Sequence, residues 1–259
     1  KLTLTHLMAK AVGLALAEMP DANAILRFNR IYLRKDVDVF FQVMMKDPET
    51  GQTMSAQDVL HNMQFFIVAG HETTANTLAW AWYLLSQSPR VAQKLHEELD
   101  QVLQGRTPEF KDVAKLPYTK AVIEESLRLY PPVPILAREA MEDTEISGKP
   151  IPKKSLVLVV PWLMHRNPEL WDHPDAFSPE RFLDREAKKP NKYGYVPFSI
   201  GPRICAGLQF GMTESILSMA ILAQAFDLRL VPGTDVQPVC RLTLRAGDRL
   251  PMTLHSRTK

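Results

Sequence analysis

Hydrophobic and polar residues alternate along this chain with two periods. Leu4, Leu7, Met8, Ala11, Val12, Ala15 and Leu16 recur at helical spacing behind Thr3 or Thr5, which predicts an amphipathic helix over 4–16. A far longer helical pattern runs from Ser55 to Ser88, opened by Ser55 with Asp58 three residues on and stopped by Pro89. At 1.5 Å per residue it would span roughly 50 Å. Val91, Leu95, Leu99 and Leu103 mark another helix over 90–104, Tyr118 to Leu129 a third, and the apolar stretch Leu208 to Ala225 a last one. Period-two alternation is confined to short runs. Val37, Val39, Phe41 and Val43 share one face of a strand over 36–43, 146–161 reads as a hairpin, and Leu228 to Leu254 reads as a terminal hairpin. The pattern predicts a mainly α fold with small β-sheets (α+β).

Two interruptions divide the chain. Lys46-Asp-Pro-Glu-Thr-Gly51 breaks both patterns and predicts a junction over 44–54 between residues 1–43 and 55–259. Residues 165–195 hold many turn formers and little periodicity, the mark of an irregular connection.

Composition then narrows the classes. The chain has 259 residues, 46% of them hydrophobic, enough for a buried core. A formal net charge of +2 provides no field that would draw nucleic acid. The longest apolar run, 65–85, is broken by His71 and Glu72, which argues against a membrane span. Two cysteines make no disulfide framework, so the expected location is the cytoplasm, with membrane attachment through a preceding anchor left open.

The candidate chemistry gathers around Cys205, in Pro197-Phe-Ser-Ile-Gly-Pro-Arg-Ile-Cys-Ala-Gly207. Gly201 permits a positive φ, and the sulfur lies just ahead of a helix, whose N-terminal dipole and free N–H groups favour a thiolate. A lone cysteine here is either a small hydrophobe or a soft metal ligand. Ala69-Gly-His-Glu-Thr-Thr74 places polar groups in mid-helix. Thr73 and Thr74 either bond back to carbonyls of the preceding turn or face a ligand, with Glu72 available for proton transfer. Glu125 and Arg128, three residues apart, are either a solvated pair or part of a buried network.

Phe198, Gly201, Arg203, Cys205 and Gly207 match the haem-binding loop of the cytochrome P450 family, which the chain resembles over about residues 50–259. Ala69-Gly-His-Glu-Thr resembles that family's oxygen-activating helix. Glu125, Arg128 and Arg181, the last in Pro179-Glu-Arg-Phe182, resemble its structural triad. The resemblance implies a partial cytochrome P450 fold with a short α/β N-terminal segment, haem b ligated by Cys205, and Arg138 and Arg203 on the haem propionates. Ala69 and Gly70 would admit a flat cofactor, and Thr73 and Glu72 would assist oxygen activation. Implied partners are dioxygen, a small apolar organic substrate and an electron-donor protein, a ferredoxin or flavin reductase; Lys188, Lys189, Lys192 and Arg203, clustered near the loop in sequence, are either a docking patch for that donor or ordinary solvated cations. The implied reaction inserts one oxygen atom into the substrate. The alternative is a truncated or fused chain that bears these motifs without activity.

Residues 1–43 resemble instead part of the acyltransferase domain of 2-oxo acid dehydrogenase complexes, through Thr5-His-Leu-Met-Ala-Lys-Ala-Val12 and Arg34-Lys-Asp-Val-Asp-Val39. That family's His-x-x-x-Asp-Gly motif does not occur in the sequence, so no acyltransferase activity is expected.

Overall fold

The computed structural model describes residues 24–27, 30–33, 55–183 and 193–257. The chain divides into two compact units, Lys1–Ala69 and Gly70–Lys259. In the first unit, β1 (Ala24–Arg27) pairs antiparallel with β2 (Arg30–Leu33), Ala24 opposite Leu33. The sequence pattern does not announce this hairpin. The expected helix over 4–16 and strand over 36–43 lie outside the described residues.

Helix α1 (Ala56–Ser86) begins in the first unit and continues into the second. Ser55 caps it reciprocally: the Asp58 N–H donates to Ser55 Oγ at 3.1 Å, and the Ser55 N–H donates to the Asp58 carboxylate at 3.2 Å. Phe65, Phe66, Ile67 and Val68 remain exposed on it.

The second unit is built around α2 (Pro89–Leu103), α3 (Pro117–Leu129) and α5 (Leu208–Ala225). Val91, Leu95, Leu99 and Leu103 are buried, as their four-residue spacing requires. They pack with Ala81, Val122, Ile123, Ile216, Met219 and Ala223 into the main core. Burying a leucine of this kind contributes about 1.5–3 kcal/mol. Helix α3 is buried nearly all round, Glu125, Ser126 and Arg128 included. Its first turn is capped from a neighbour, because the Glu98 carboxylate of α2 accepts from the Tyr118 and Thr119 N–H groups at 2.6 and 2.8 Å. A carboxylate there meets both the orphan donors and the positive end of the helix dipole.

Where 146–161 was expected to form one hairpin, the strands nest. β4 (Thr144–Ile146) pairs with β5 (Lys149–Ile151), while β3 (Leu136–Glu139) pairs with β6 (Leu156–Val159). The positive φ of Ser147 and Gly148 closes the inner turn, and a second break at Lys154 separates the two ladders. After the short helix α4 (Pro161–Met164), the described residues 165–183 and 193–200 are irregular apart from a 3₁₀ turn at Pro179–Phe182. At the end of the chain, β7 (Phe226–Leu230) pairs with β10 (Met252–Ser256), and between them β8 (Val239–Cys240) pairs with β9 (Leu244–Arg245). The terminal hairpin is thus also two ladders. The helices hold more of the described residues than the strands do, so the described fold is mainly α with small two-stranded sheets. No helix among the described residues is long and apolar enough to cross a membrane.

Candidate functional site

Cys205 lies in a loop fixed from several directions. Its N–H donates to the Phe198 carbonyl at 2.9 Å, and Phe198 packs against the main core. Between them Ser199 and Gly201 take positive φ values of 63° and 73°, so Gly201 occupies a backbone region that side chains disfavour. A 3₁₀ turn at Gly201–Arg203 then brings the chain to Cys205, three residues before α5, whose N-cap is Gly207. A Cβ on Gly207 would stand 3.8 Å from Cys205 Sγ, ordinary contact, so the glycine leaves one side of the sulfur clear. Cys205 is a free, exposed thiol. Ile200, Ile204 and Phe210, near it in sequence, are exposed.

Behind the loop, Glu125 and Arg128 are fully buried, which excludes the solvated-pair reading. Arg128 uses all five guanidinium N–H groups. Nε and one Nη2 hydrogen donate to the two Glu125 oxygens at 2.7 and 2.8 Å, and the other three donate to the carbonyls of His165, Pro174 and Ala176. Arg181 Nε donates to Glu125 Oε1 at 3.1 Å, and the Ser178 N–H donates to the same oxygen at 2.9 Å. One carboxylate and two guanidiniums therefore stitch α3 to the irregular segment ahead of the cysteine loop. The 3₁₀ turn is held from α2 as well, since Glu180 accepts from Arg90 and Lys94 at 2.6 and 2.8 Å. Despite the opposing effect of burial, these cations hold its carboxyl down at about 2.

Of the two arginines expected to face an anionic ligand, Arg138 on β3 donates to Ser199 Oγ of the cysteine loop at 3.2 Å. It lines a cavity of about 240 Å³ with Val196, Ser199 and Ile200. Arg203 is exposed and has no hydrogen-bond or ion-pair partner among the described residues. A larger cavity, about 520 Å³ between α2 and β7, contains none of the expected site residues.

On α1, Ala69 and Gly70 are exposed, and a Cβ on Gly70 would meet nothing within 4 Å. Thr74 lies against α5, its Oγ1 3.9 Å from a Cβ built on Gly211. Thr73 is half-buried, and its carbonyl accepts from Thr77 Oγ1 at 2.8 Å. Glu72 faces another way. Its Oε1 accepts from Thr243 Oγ1 at 2.6 Å and from Arg245 Nε at 2.9 Å. The Thr243 hydroxyl, followed by Arg245, holds its carboxyl below the usual range. One and two turns on, Asn76 donates to Thr243 Oγ1 and the Trp80 indole donates to the Leu244 carbonyl. This seam of 72, 76 and 80 against 243–245 escaped the sequence reading, although its four-residue spacing on α1 was available as a signal. Lys188, Lys189 and Lys192 lie outside the described residues.

The donor set fits haem. One exposed thiol at a helix start suits a soft iron ligand, two exposed guanidiniums suit carboxylates, and exposed apolar side chains near the cysteine in sequence suit a macrocycle. The cytochrome P450 family profile matches residues 20–247, and the chain belongs to that family. Haem b is the family's cofactor. Among characterised relatives, cyclooctatin synthase of Streptomyces melanosporofaciens is 43% identical over 78% of this chain and 44% of its own length. Cyclooctat-9-en-7-ol 5-monooxygenase of the same organism is 41% identical over 81% of this chain and 46% of its own. LUTEIN DEFICIENT 5 of Arabidopsis thaliana is 35% identical, over 81% and 36%. The chain thus spans less than half the length of each. The family match takes in residues 20–43, so the acyltransferase resemblance expected over 1–43 finds no support.

Proposed function

We propose that this chain carries the thiolate side of a haem monooxygenase that inserts one atom of dioxygen into a small apolar organic substrate. The observation that carries the reading is Cys205: a free thiol held by the Phe198 carbonyl and the Gly201 turn, in a loop that follows the segment stitched to α3 by the Glu125–Arg128–Arg181 network. Haem, when bound through this thiolate, supplies dioxygen activation and oxygen-atom transfer, using electrons from a ferredoxin or flavin reductase. A relative named as a monooxygenase supports the reaction class.

The residues divide the work as follows. Cys205 ligates, and Phe198, Gly201 and Gly207 shape its loop. Arg138 and Arg203 pair with the two propionates, for which the exposed Arg203 is free to turn. Ala69 and Gly70 let the cofactor face approach the helix backbone. Thr73 holds a proton at its hydroxyl for the oxygen side, and the Glu72 carboxylate, kept ionised by Thr243 and Arg245, assists proton delivery as a fixed negative charge. Glu125, Arg128 and Arg181 maintain the loop and take no part in chemistry. The cationic segment around 188–192 docks the electron donor. Residues 55–259 form the haem-bearing portion in this reading, and the two free thiols accord with a reducing, cytoplasmic setting.

The test is to supply haem, reduce, add carbon monoxide and record the absorption spectrum. A thiolate-type shifted Soret band is expected, and its absence refutes the reading. Thr73→Ala is expected to keep that band while uncoupling electron consumption from product.

A further inference from the structure

We propose that His165 is a positioning residue for the Cys205 loop, fixing it through one hydrogen-bonded imidazole that bridges the end of α3 to Val196. This rests on the reading of Cys205 as the haem ligand. The ring is fully buried. Nε2 lies 3.0 Å from the Val196 backbone N–H, and Nδ1 lies 3.1 Å from the Arg128 carbonyl.

These partners leave one arrangement. An amide N–H can only donate, so Nε2 is the bare nitrogen, and a carbonyl can only accept, so Nδ1 carries the hydrogen. The neutral tautomer is thereby specified, and a second ring proton would turn the Val196 contact into two opposed donors. The charged groups around the ring agree with that. Arg128 and Arg166 add positive potential, Glu125 is spent on Arg128 and Arg181, and Tyr195 packs its ring 5.3 Å away. Burial, aided by the two arginines, brings the imidazole down to about 4.

The bridge continues into the loop. The Val196 carbonyl accepts from the Ser199 N–H at 3.1 Å, Ser199 holds its positive φ and receives Arg138, and the Phe198 carbonyl accepts from Cys205. On the other side, Arg128 Nη1 donates to the His165 carbonyl at 2.7 Å, so residues 128 and 165 clasp each other. The buried arginine reaches the cysteine loop through His165.

Three variants separate this role from simple packing. His165→Gln can place an acceptor where Nε2 was, His165→Asn keeps a donor near Nδ1 but cannot reach Val196, and His165→Phe keeps only the ring. In the haem-loaded chain, the ferrous carbon monoxide complex of His165→Gln is expected to keep the thiolate-type band. Asn and Phe are expected to convert at least tenfold more of the population to the non-thiolate form. Amide exchange at Val196, which needs no haem, is expected to rise at least tenfold in Asn and Phe and less in Gln. Equal behaviour of all three variants overturns the inference. So does a wild-type Val196 amide that exchanges as fast as the exposed Ile200 amide, a measurement that requires no variant to fold. A wild-type chain lacking the thiolate band refutes the haem reading instead, and the exchange series still decides the bridge.

Discussion

Arg128 and Arg203 are the same residue in opposite circumstances. Arg128 is buried with five N–H groups committed to Glu125 and three carbonyls, whereas Arg203 is exposed with no partner among the described residues. The contrast extends to their surroundings. Glu125, His165 and Arg128 are satisfied by protein atoms, while Cys205, Ile204 and Phe210 are exposed. A buried charge needs fixed partners because desolvation is costly, so the first region is a frame that tolerates little change. An exposed charge keeps water and rotamer freedom, so the second region can change with little cost to the fold. Stability and chemistry should therefore separate cleanly by mutation.

The largest effect expected is on chemistry alone. Cys205→Ala should abolish the thiolate-type carbon monoxide band entirely, yet move the urea midpoint of the haem-free chain by under about 0.5 kcal/mol equivalent. A large loss of stability would show that the sulfur belongs to the frame. Next, Glu125→Gln strands a buried guanidinium and should cost about 3–5 kcal/mol by denaturant unfolding. A cost near that of an exposed pair, about half a kcal/mol, would break the comparison from the other side.

A third expectation concerns acid. The His165 ring is lowered from 6.5 to about 4 in the folded chain, so the unfolded chain takes up the proton first. The stability of the neutral ring is therefore complete above pH 6.5 and is lost progressively between 6.5 and about 4, by up to about 3 kcal/mol. His165→Gln should lack this step in stability measured against pH, and its persistence there would assign it to another group. The smallest effect is expected at the seam between α1 and β9, where Trp80→Phe removes the indole donor from the Leu244 carbonyl at a cost of about 1–2 kcal/mol. A loss of the carbon monoxide band in that variant would extend the chemical face into the seam.

The helices were legible because burial repeats with the helical period. Val91, Leu95, Leu99 and Leu103 declared one core face, and Ser55 with Asp58 declared a helix start. Strand pairing was less legible. The residues of β3 and β6 are seventeen or more apart, and a period of two states which residues share a face without stating which strand lies opposite. A hairpin over 146–161 was expected, but the turn at Ser147 and Gly148 closes only the inner ladder.

The sequence by itself determined the shape of the cysteine loop, because a positive φ favours Gly201 and an apolar helical run follows Cys205; these are local requirements written in adjacent residues. It also determined which charged residues were candidates for the network. Only the tertiary structure decided that Glu125 and Arg128 are buried, that Glu72 turns to Thr243 and Arg245, and that His165 joins Arg128 to Val196. Those outcomes depend on which distant backbone carbonyls and amides arrive beside each side chain, and hydrogen bonding fixes partners only once packing has brought them within about 3 Å.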